Sequence, residues 1–191
     1  PVFSAPLSRA VCARELRLDP GTITLLVMGG SPALGSVVQV AAHLLGMDVK
    51  LQIIALAGKS APTLAALKDL AERHPGRLAP QGYTDKIERL MACADIVVTK
   101  PGGLTTSESL AMGLPMVVIS PIPGQEEFNA NFLLEQGVAL QAFDLVTLEY
   151  RIRHLLDHPA HLDQMRAKAR SLGRPNAAGK VLGIALGKTE G

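Results

Sequence analysis

Short apolar runs of strand length recur along this chain, and longer stretches with helical spacing stand between them. The strand-like runs are Ile23 to Met28, Val49 to Leu56, Leu78 to Pro80, Ile96 to Thr99, Met116 to Ile119 and Val138 to Gln141. Helical patterns cover Ser36 to Gly46, Pro62 to Glu72, Asp85 to Cys93, Thr105 to Met112 and Glu126 to Gln136. Continuous apolar strands separated by amphipathic helices predict a parallel sheet covered on both faces. The expected fold is therefore an α/β, Rossmann-like doubly wound parallel sheet. From about Leu145 the pattern is helical only, broken at Pro159 and again near Gly173 to Pro175, which predicts a helical C-terminal tail. With 191 residues, 48% of them hydrophobic, the chain can bury one full core. In such folds ligands sit outside the carboxyl ends of the strands, where the strand order reverses, so each turn after a strand is a candidate site.

Composition excludes several classes of partner. A net charge of +2 lacks the basic excess that sequence-independent nucleic-acid binding needs, and 3% aromatic residues with no Trp leave little for base stacking. Cys12 and Cys93 are the only cysteines and neither belongs to a CxxC pair, so neither a disulfide framework nor a thiolate zinc site is expected and a cytoplasmic compartment is. The longest apolar runs fall far short of the roughly 18 to 20 residues of a spanning helix. The opening Pro1-Val2-Phe3, without a Met, reads as an excised piece of a larger protein.

Three turns carry candidate chemistry. The first, MGGSPALG at Met28 to Gly35, joins the first strand to a helix; glycines admit a close backbone approach and a helix start offers free amides, which suits a phosphate as well as it suits a plain tight turn. The second, TKPGGLTTSE at Thr99 to Glu108, repeats the arrangement. Its Thr105 and Glu108 have the spacing of a capping box, in which the two side chains merely satisfy helix-start amides. An ionised Glu108 held by the helix dipole would equally accept both hydroxyls of a ribose. The third, PIPGQEEFNANF at Pro121 to Phe132, places Gln125, Glu126 and Asn129 at i, i+1 and i+4, where amide and carboxylate groups suit sugar hydroxyls or simply solvent. His154, His158 and His161 read as solvated helix-end histidines, because Pro159 interrupts the spacing a metal site would use. Arg9, Arg14, Arg17, Arg166, Lys168, Arg170 and Arg174 suit either anionic lipid heads or a solvated helix face.

Taken together in this order, LLVMGG at Leu25 to Gly30, QGYTDKIERLMACADIVVTKPGGLTTSESLAMGLPMVV at Gln81 to Val118 and PGQEEFNANFLLEQG at Pro123 to Gly137 resemble the C-terminal, donor-binding half of a GT-B glycosyltransferase. The family, glycosyltransferase family 28, contains the peptidoglycan precursor glycosyltransferase MurG, the monogalactosyldiacylglycerol synthases and the processive diacylglycerol glucosyltransferases. The PGQE form looks more like the lipid enzymes than like MurG. The resemblance implies inverting transfer of glucose or galactose from UDP-glucose or UDP-galactose to a diacylglycerol-type acceptor, with no cofactor and no obligatory metal, by an enzyme peripheral to the inner face of the cell membrane.

The same resemblance assigns residues. Glu108 would bind the ribose hydroxyls, and the backbone of Gly102, Gly103, Leu104, Thr105 and Thr106 would face the diphosphate. Gln125 and Glu126 would meet the transferred sugar, supported by Asn129, while the turn at Gly82 and Tyr83 would hold the uracil edge. Gly29, Gly30 and Ser31 would close the phosphate side, although relatives often carry glycine where this chain has Ser31 and Ala33. The donor domain would span residues 1–187, with 1–20 as linker and entry helix. The catalytic base, usually a histidine, would belong to an N-terminal acceptor domain outside this chain, so residues 1–191 alone would bind donor without transferring sugar. Other readings kept open are a MurG-type N-acetylglucosaminyltransferase, half of a non-hydrolysing UDP-sugar epimerase and a non-catalytic nucleotide-sugar sensor.

Overall fold

The computed structural model describes residues 3, 8–29, 34–119 and 121–186. In chain order the elements are α1 (Arg9–Glu15), β1 (Thr24–Met28), α2 (Val37–Leu45), β2 (Gln52–Leu56), α3 (Ala61–Arg73), β3 (Leu78–Gln81), α4 (Ile87–Cys93), β4 (Ile96–Thr99), α5 (Gly103–Ala111), β5 (Met116–Ile119), α6 (Gln125–Glu135), β6 (Ala139–Ala142), α7 (Leu145–Asp157), α8 (Pro159–Leu172) and α9 (Ala177–Ala185). The strands form one parallel sheet in the order β3-β2-β1-β4-β5-β6. The chain leaves β1 toward β2 and returns to β4 on the other side of β1, so the order reverses between β1 and β4. The carboxyl ends of those strands, Met28 and Thr99, are in register with one another. The doubly wound sheet and the helical tail expected from the apolar pattern are both present.

Strand alternation divides the core between the two faces of the sheet. Leu25 and Val27 pack with α2, α3 and α7 on one side, whereas Leu26 packs with α1, α4, α5 and α6 on the other. Ile53 and Ile54, Val97 and Val98, and Val117 and Val118 split in the same way. α8 contributes Leu162 and Met165 to the first cluster and Ala169 to the second, closing the lower edge of the domain.

Two features depart from the simplest reading of the apolar runs. β2 begins at Gln52 rather than Val49, because the buried Gln52 side chain crosslinks the sheet edge instead, donating to the Asp19 carbonyl at 2.7 Å and to Thr24 Oγ1 at 2.8 Å. The arginines are also not all a solvated face. Asp95, at the start of β4, accepts from Arg9 of α1 at 2.7 Å, from Arg166 of α8 at 2.6 Å and from the Thr24 backbone amide at 2.8 Å. Arg9 further donates to the carbonyls of Pro20 and Thr22. Arg174 folds back on the carbonyls of Ser171, Leu172 and Gly173, capping α8. Arg9 and Arg166 are occupied in holding helices to the sheet, which departs from their reading as lipid-facing or solvated charges, whereas Arg174 stays exposed at the end of α8.

Candidate functional site

The candidate site lies at the sheet edge where the carboxyl ends of β1, β4 and β5 stand side by side. Gly29 follows β1 with φ of +78°, a conformation that a side chain would strain, and among the described residues no heavy atom lies within 4 Å of where its Cβ would stand. Gly30 and Ser31 lie outside the described residues. The helix that follows is not an open anion cradle. Ser36 accepts from the Gln39 amide at 3.3 Å while Gln39 Oε1 accepts from the Ser36 amide at 2.8 Å, a complete capping box that occupies the start of α2.

The β4 loop contrasts with it. Gly102 is the N-cap of α5 with extended backbone, φ −66° and ψ 148°, and no side chain caps the helix. The first bond of the helix ladder is Thr106 N–H to the Gly102 carbonyl at 2.9 Å, so the amides of Gly103, Leu104 and Thr105 precede it. Among the described residues, no heavy atom lies within 4 Å of the position a Gly102 Cβ would take. An uncapped helix start beside open space presents amide donors and the positive end of the helix dipole to whatever enters.

This geometry disposes of the capping-box reading of Thr105 and Glu108. The helix begins at Gly103, not near Thr105, and Glu108 is its sixth residue, beyond the first turn. Nor does the dipole hold Glu108 ionised. Its carboxyl group is half-buried and its pKa is raised above the ordinary 4.5, first by burial and then by the negative charge of Glu88. Glu108 has no hydrogen-bond donor among the described residues, so its acceptor capacity is unspent. Thr106 turns inward: its Oγ1, like Ser109 Oγ, is buried without a partner among the described residues.

The β5 loop closes the other side. Asn129 Nδ2 donates to the Pro101 carbonyl at 2.9 Å, so Asn129 braces the β4 loop itself. Gln125, the first residue of α6, brings its Nε2 to 3.9 Å from the Cβ position of Gly103. Glu126 accepts from the Ile122 amide at 2.8 Å and Glu127 from the Gly124 amide at 3.2 Å, two bonds that fix the turn in which Gly124 takes φ +98°. The second and third turns are thus joined into one wall.

Gly82 and Tyr83 follow β3, at the sheet edge, and Tyr83 is exposed. Lys59, from the turn after β2, stands 4.9 Å over the Tyr83 ring, a cation–π contact that sequence reading did not single out. Glu88, which sequence reading did not single out either, is 9% exposed at the start of α4. The histidines contact one another where α7 meets α8, with His158 exposed at the helix end as expected. His154 Nε2 meets His161 Nδ1 at 3.2 Å, and the His154 and His158 rings stack at 4.4 Å. Burial, then the neighbouring His158 and His161, lower the pKa of His154. Among the described residues, no group of three or more His, Cys, Asp or Glu side chains is arranged to hold a metal ion. No helix among them is long and apolar enough to cross a membrane.

Comparison with known proteins follows the same outline. Residues 24–181 match the glycosyltransferase family 28 C-terminal domain. The processive diacylglycerol beta-glucosyltransferase of Bacillus pumilus (strain SAFR-032) is 30% identical over 182 residues, covering 95% of this chain and 48% of its own. That of Bacillus subtilis (strain 168) is 27% identical over 190 residues, 100% of this chain and 50% of its own. The chain therefore spans about half the length of these curated relatives. Among solved structures, Acinetobacter baumannii MurG superposes with a TM-score of 0.69 at 23% identity, over 97% of this chain and 55% of that one. Anabaena Alr3699/HepE in complex with UDP-glucose gives 0.69 at 17% identity, over 97% and 54%. The fold is thus that of one half of a GT-B glycosyltransferase, and by its sequence the chain belongs to the glycosyltransferase family 28 C-terminal domain family.

Proposed function

We propose that this chain is the donor-binding domain of an inverting hexosyltransferase that takes glucose from UDP-glucose and delivers it to a diacylglycerol-type lipid. The observation that carries the reading is the uncapped start of α5 facing open space, with the unspent carboxyl of Glu108 on the same helix. The amides of Gly103, Leu104 and Thr105 would receive the diphosphate, and Glu108 would accept the ribose hydroxyls. Gly29, Gly30 and Ser31 would approach the phosphates from the β1 loop, with less dipole support because α2 caps itself. Gln125 and Glu126 would meet the hexose, and the Gly82–Tyr83 turn would border the uracil.

Glucose is favoured over galactose by the names of the similar bacterial enzymes, which are beta-glucosyltransferases. UDP-glucose carries its leaving group in the α configuration, so a β-linked product requires inversion. In that mechanism the helix-start amides stabilise charge growing on the departing UDP. A base outside residues 1–191 would take the proton from the acceptor hydroxyl as its oxygen attacks the anomeric carbon. The donor is neutralised by amides and hydroxyls, without an obligatory metal. Lipid delivery would bring the enzyme against the inner face of the cell membrane.

Calorimetric titration of UDP, UDP-glucose and UDP-galactose into the chain tests the proposal. Binding of all three, with UDP-glucose at least as tight as UDP-galactose, is expected, together with no transfer to diacylglycerol by residues 1–191 alone. Absence of UDP binding would remove the donor-site reading. Robust lipid glycosylation by this chain alone would contradict the placement of the base elsewhere.

A further inference from the structure

The amino edge of the sheet, opposite the candidate donor site, holds a second recess. A cavity of about 320 Å³ opens there, lined by Arg9 of α1, Asp95, the Gly113–Leu114 turn, and Arg166 and Arg170 of α8. Asp95 immediately precedes β4 and Leu114 stands two residues before β5, whereas the donor loops leave the other ends of the same strands. The length of the four-residue β4, about 13 Å, therefore separates the recess from the loop that feeds α5.

Three guanidinium groups face one carboxylate in this recess. Arg9 Nη2 and Arg166 Nη2 approach Asp95 at 2.7 and 2.6 Å, one on each oxygen, so the carboxylate is spent on them. Outside the recess, the exposed Asp163 accepts from Arg166 Nη1 at 3.0 Å. These ties do not use up the donors, because a guanidinium carries five N–H groups. Arg9 Nη1, Arg166 Nε and the whole Arg170 guanidinium have no acceptor among the described residues. Arg170 follows Arg166 by four residues, so both rise from one face of α8. Gly113 makes room for it: φ there is +67°, and Arg170 Nε passes 2.8 Å from the place a Cβ would take. The side chains of Arg9 and Arg166 are 30% and 26% exposed, so solvent reaches the wall they form.

We propose that this recess is a binding site for a phosphate group, held by Arg170 together with the spare N–H groups of Arg9 and Arg166. A guanidinium fork meets phosphate oxygens two at a time, and forks converging from α1 and α8 engage a tetrahedral anion from two sides. With Asp95 counted, two positive charges remain in the wall, and a phosphate monoester carries about −1.5 to −2 near pH 7. A carboxylate, with a single negative charge, would leave one of them unmatched. A bound phosphate would add a second tie between α1 and α8 beside Asp95, and would bring in the Gly113 turn that joins α5 to β5. None of these residues is assigned to the donor, so the inference stands apart from that reading. The phosphate belongs to a small soluble ester or to a phospholipid headgroup, and the recess recognises what the two share.

The test is an NMR titration of inorganic phosphate into the chain near neutral pH, at an ionic strength held constant with chloride, reading the arginine Nε–H signals. Those of Arg166 and Arg170 should move together and saturate with a midpoint of about 5 mM or below. In Arg170→Gln the midpoint should rise about fivefold or more, while Lys68→Gln, which removes an exposed charge from α3, should change it less than about twofold. Signals that stay in place, or that drift without saturating as diffuse screening would make them, overturn the proposal. So does an unchanged midpoint in Arg170→Gln. Should that variant fail to fold, the parent titration decides. Two further arms identify the source: glycerol 3-phosphate in solution, and phosphatidylcholine vesicles with and without about one fifth phosphatidic acid. Capture by the phosphatidic-acid vesicles alone, lost in Arg170→Gln, supports a headgroup. Saturation by glycerol 3-phosphate without vesicle capture supports a soluble ester.

Discussion

The side-chain amide of Asn129 reaches across from α6 to the carbonyl of Pro101, at 2.9 Å, and thereby fixes the loop that feeds α5. The residues that would touch the hexose and those that would touch the diphosphate are mechanically one unit. Asn129→Ala should cost about 1 kcal/mol of the order in that loop and weaken UDP binding by about fivefold. Asn129→Asp, which sets an acceptor against the Pro101 carbonyl, should weaken it more. Titration of UDP into the two variants checks the ranking; equal affinity in parent and both variants would deny the brace a role.

Asp95 ties α1, β1 and α8 together through Arg9, Thr24 and Arg166, with its own side chain 13% exposed. Asp95→Ala should destabilise the fold by about 3 kcal/mol, because two guanidinium groups lose their partner. Asp163→Ala, which removes only the exposed partner of Arg166, should cost about 0.5 kcal/mol or less. Urea unfolding of both variants measures the difference.

Only part of this was legible in the sequence. The apolar runs located all six strands within a few residues, because each is short and the four central ones are almost wholly buried. Three site turns followed from the strand ends. The start of α5 did not. Thr105 and Glu108 have capping-box spacing, but Gly102 already takes the N-cap conformation and the chain enters the helix at Gly103. Spacing alone does not register where the backbone first turns. Asp95 was also invisible, since its arginine partners stand 86 and 71 residues away and each reads locally as one more surface charge.

Acidification should act on the chain and on its ligand in opposite senses. The folded pKa of Glu108 is raised above 4.5, so the folded state holds that proton more tightly than the unfolded chain does. The stabilisation from protonated Glu108 is fully present below about 4.5, the unfolded value, and is lost as pH rises through the folded one. Glu108→Gln, which mimics the protonated form, should therefore unfold at a higher temperature than the parent near pH 8, and the two should converge near pH 4. Ribose capture requires the ionised form, so UDP affinity in the parent should fall over the same descent. Thermal melts and titrations across pH read the two trends; parallel melting curves for parent and variant at all pH values would contradict the first.

Both thiols should be inert in the native protein. Cys12 and Cys93 are buried at the α1–α4 contact, and burial pushes the Cys93 thiol up to about 12. Against an aromatic disulfide reagent near pH 8, Cys93 should react at least about a hundredfold more slowly than in urea, where both thiols should count. Rapid labelling of two thiols in the native chain would mean that α1 does not stay seated on α4.

The measurement that tests the central claim most directly is calorimetric titration of UDP into the parent chain and into Glu108→Ala near pH 8. The account predicts binding by the parent that weakens about tenfold or more in the variant, some 1.4 kcal/mol, with the fold unchanged by circular dichroism. Equal affinity in the two proteins would contradict the placement of the ribose at Glu108, and with it the assignment of the α5 start as the donor site.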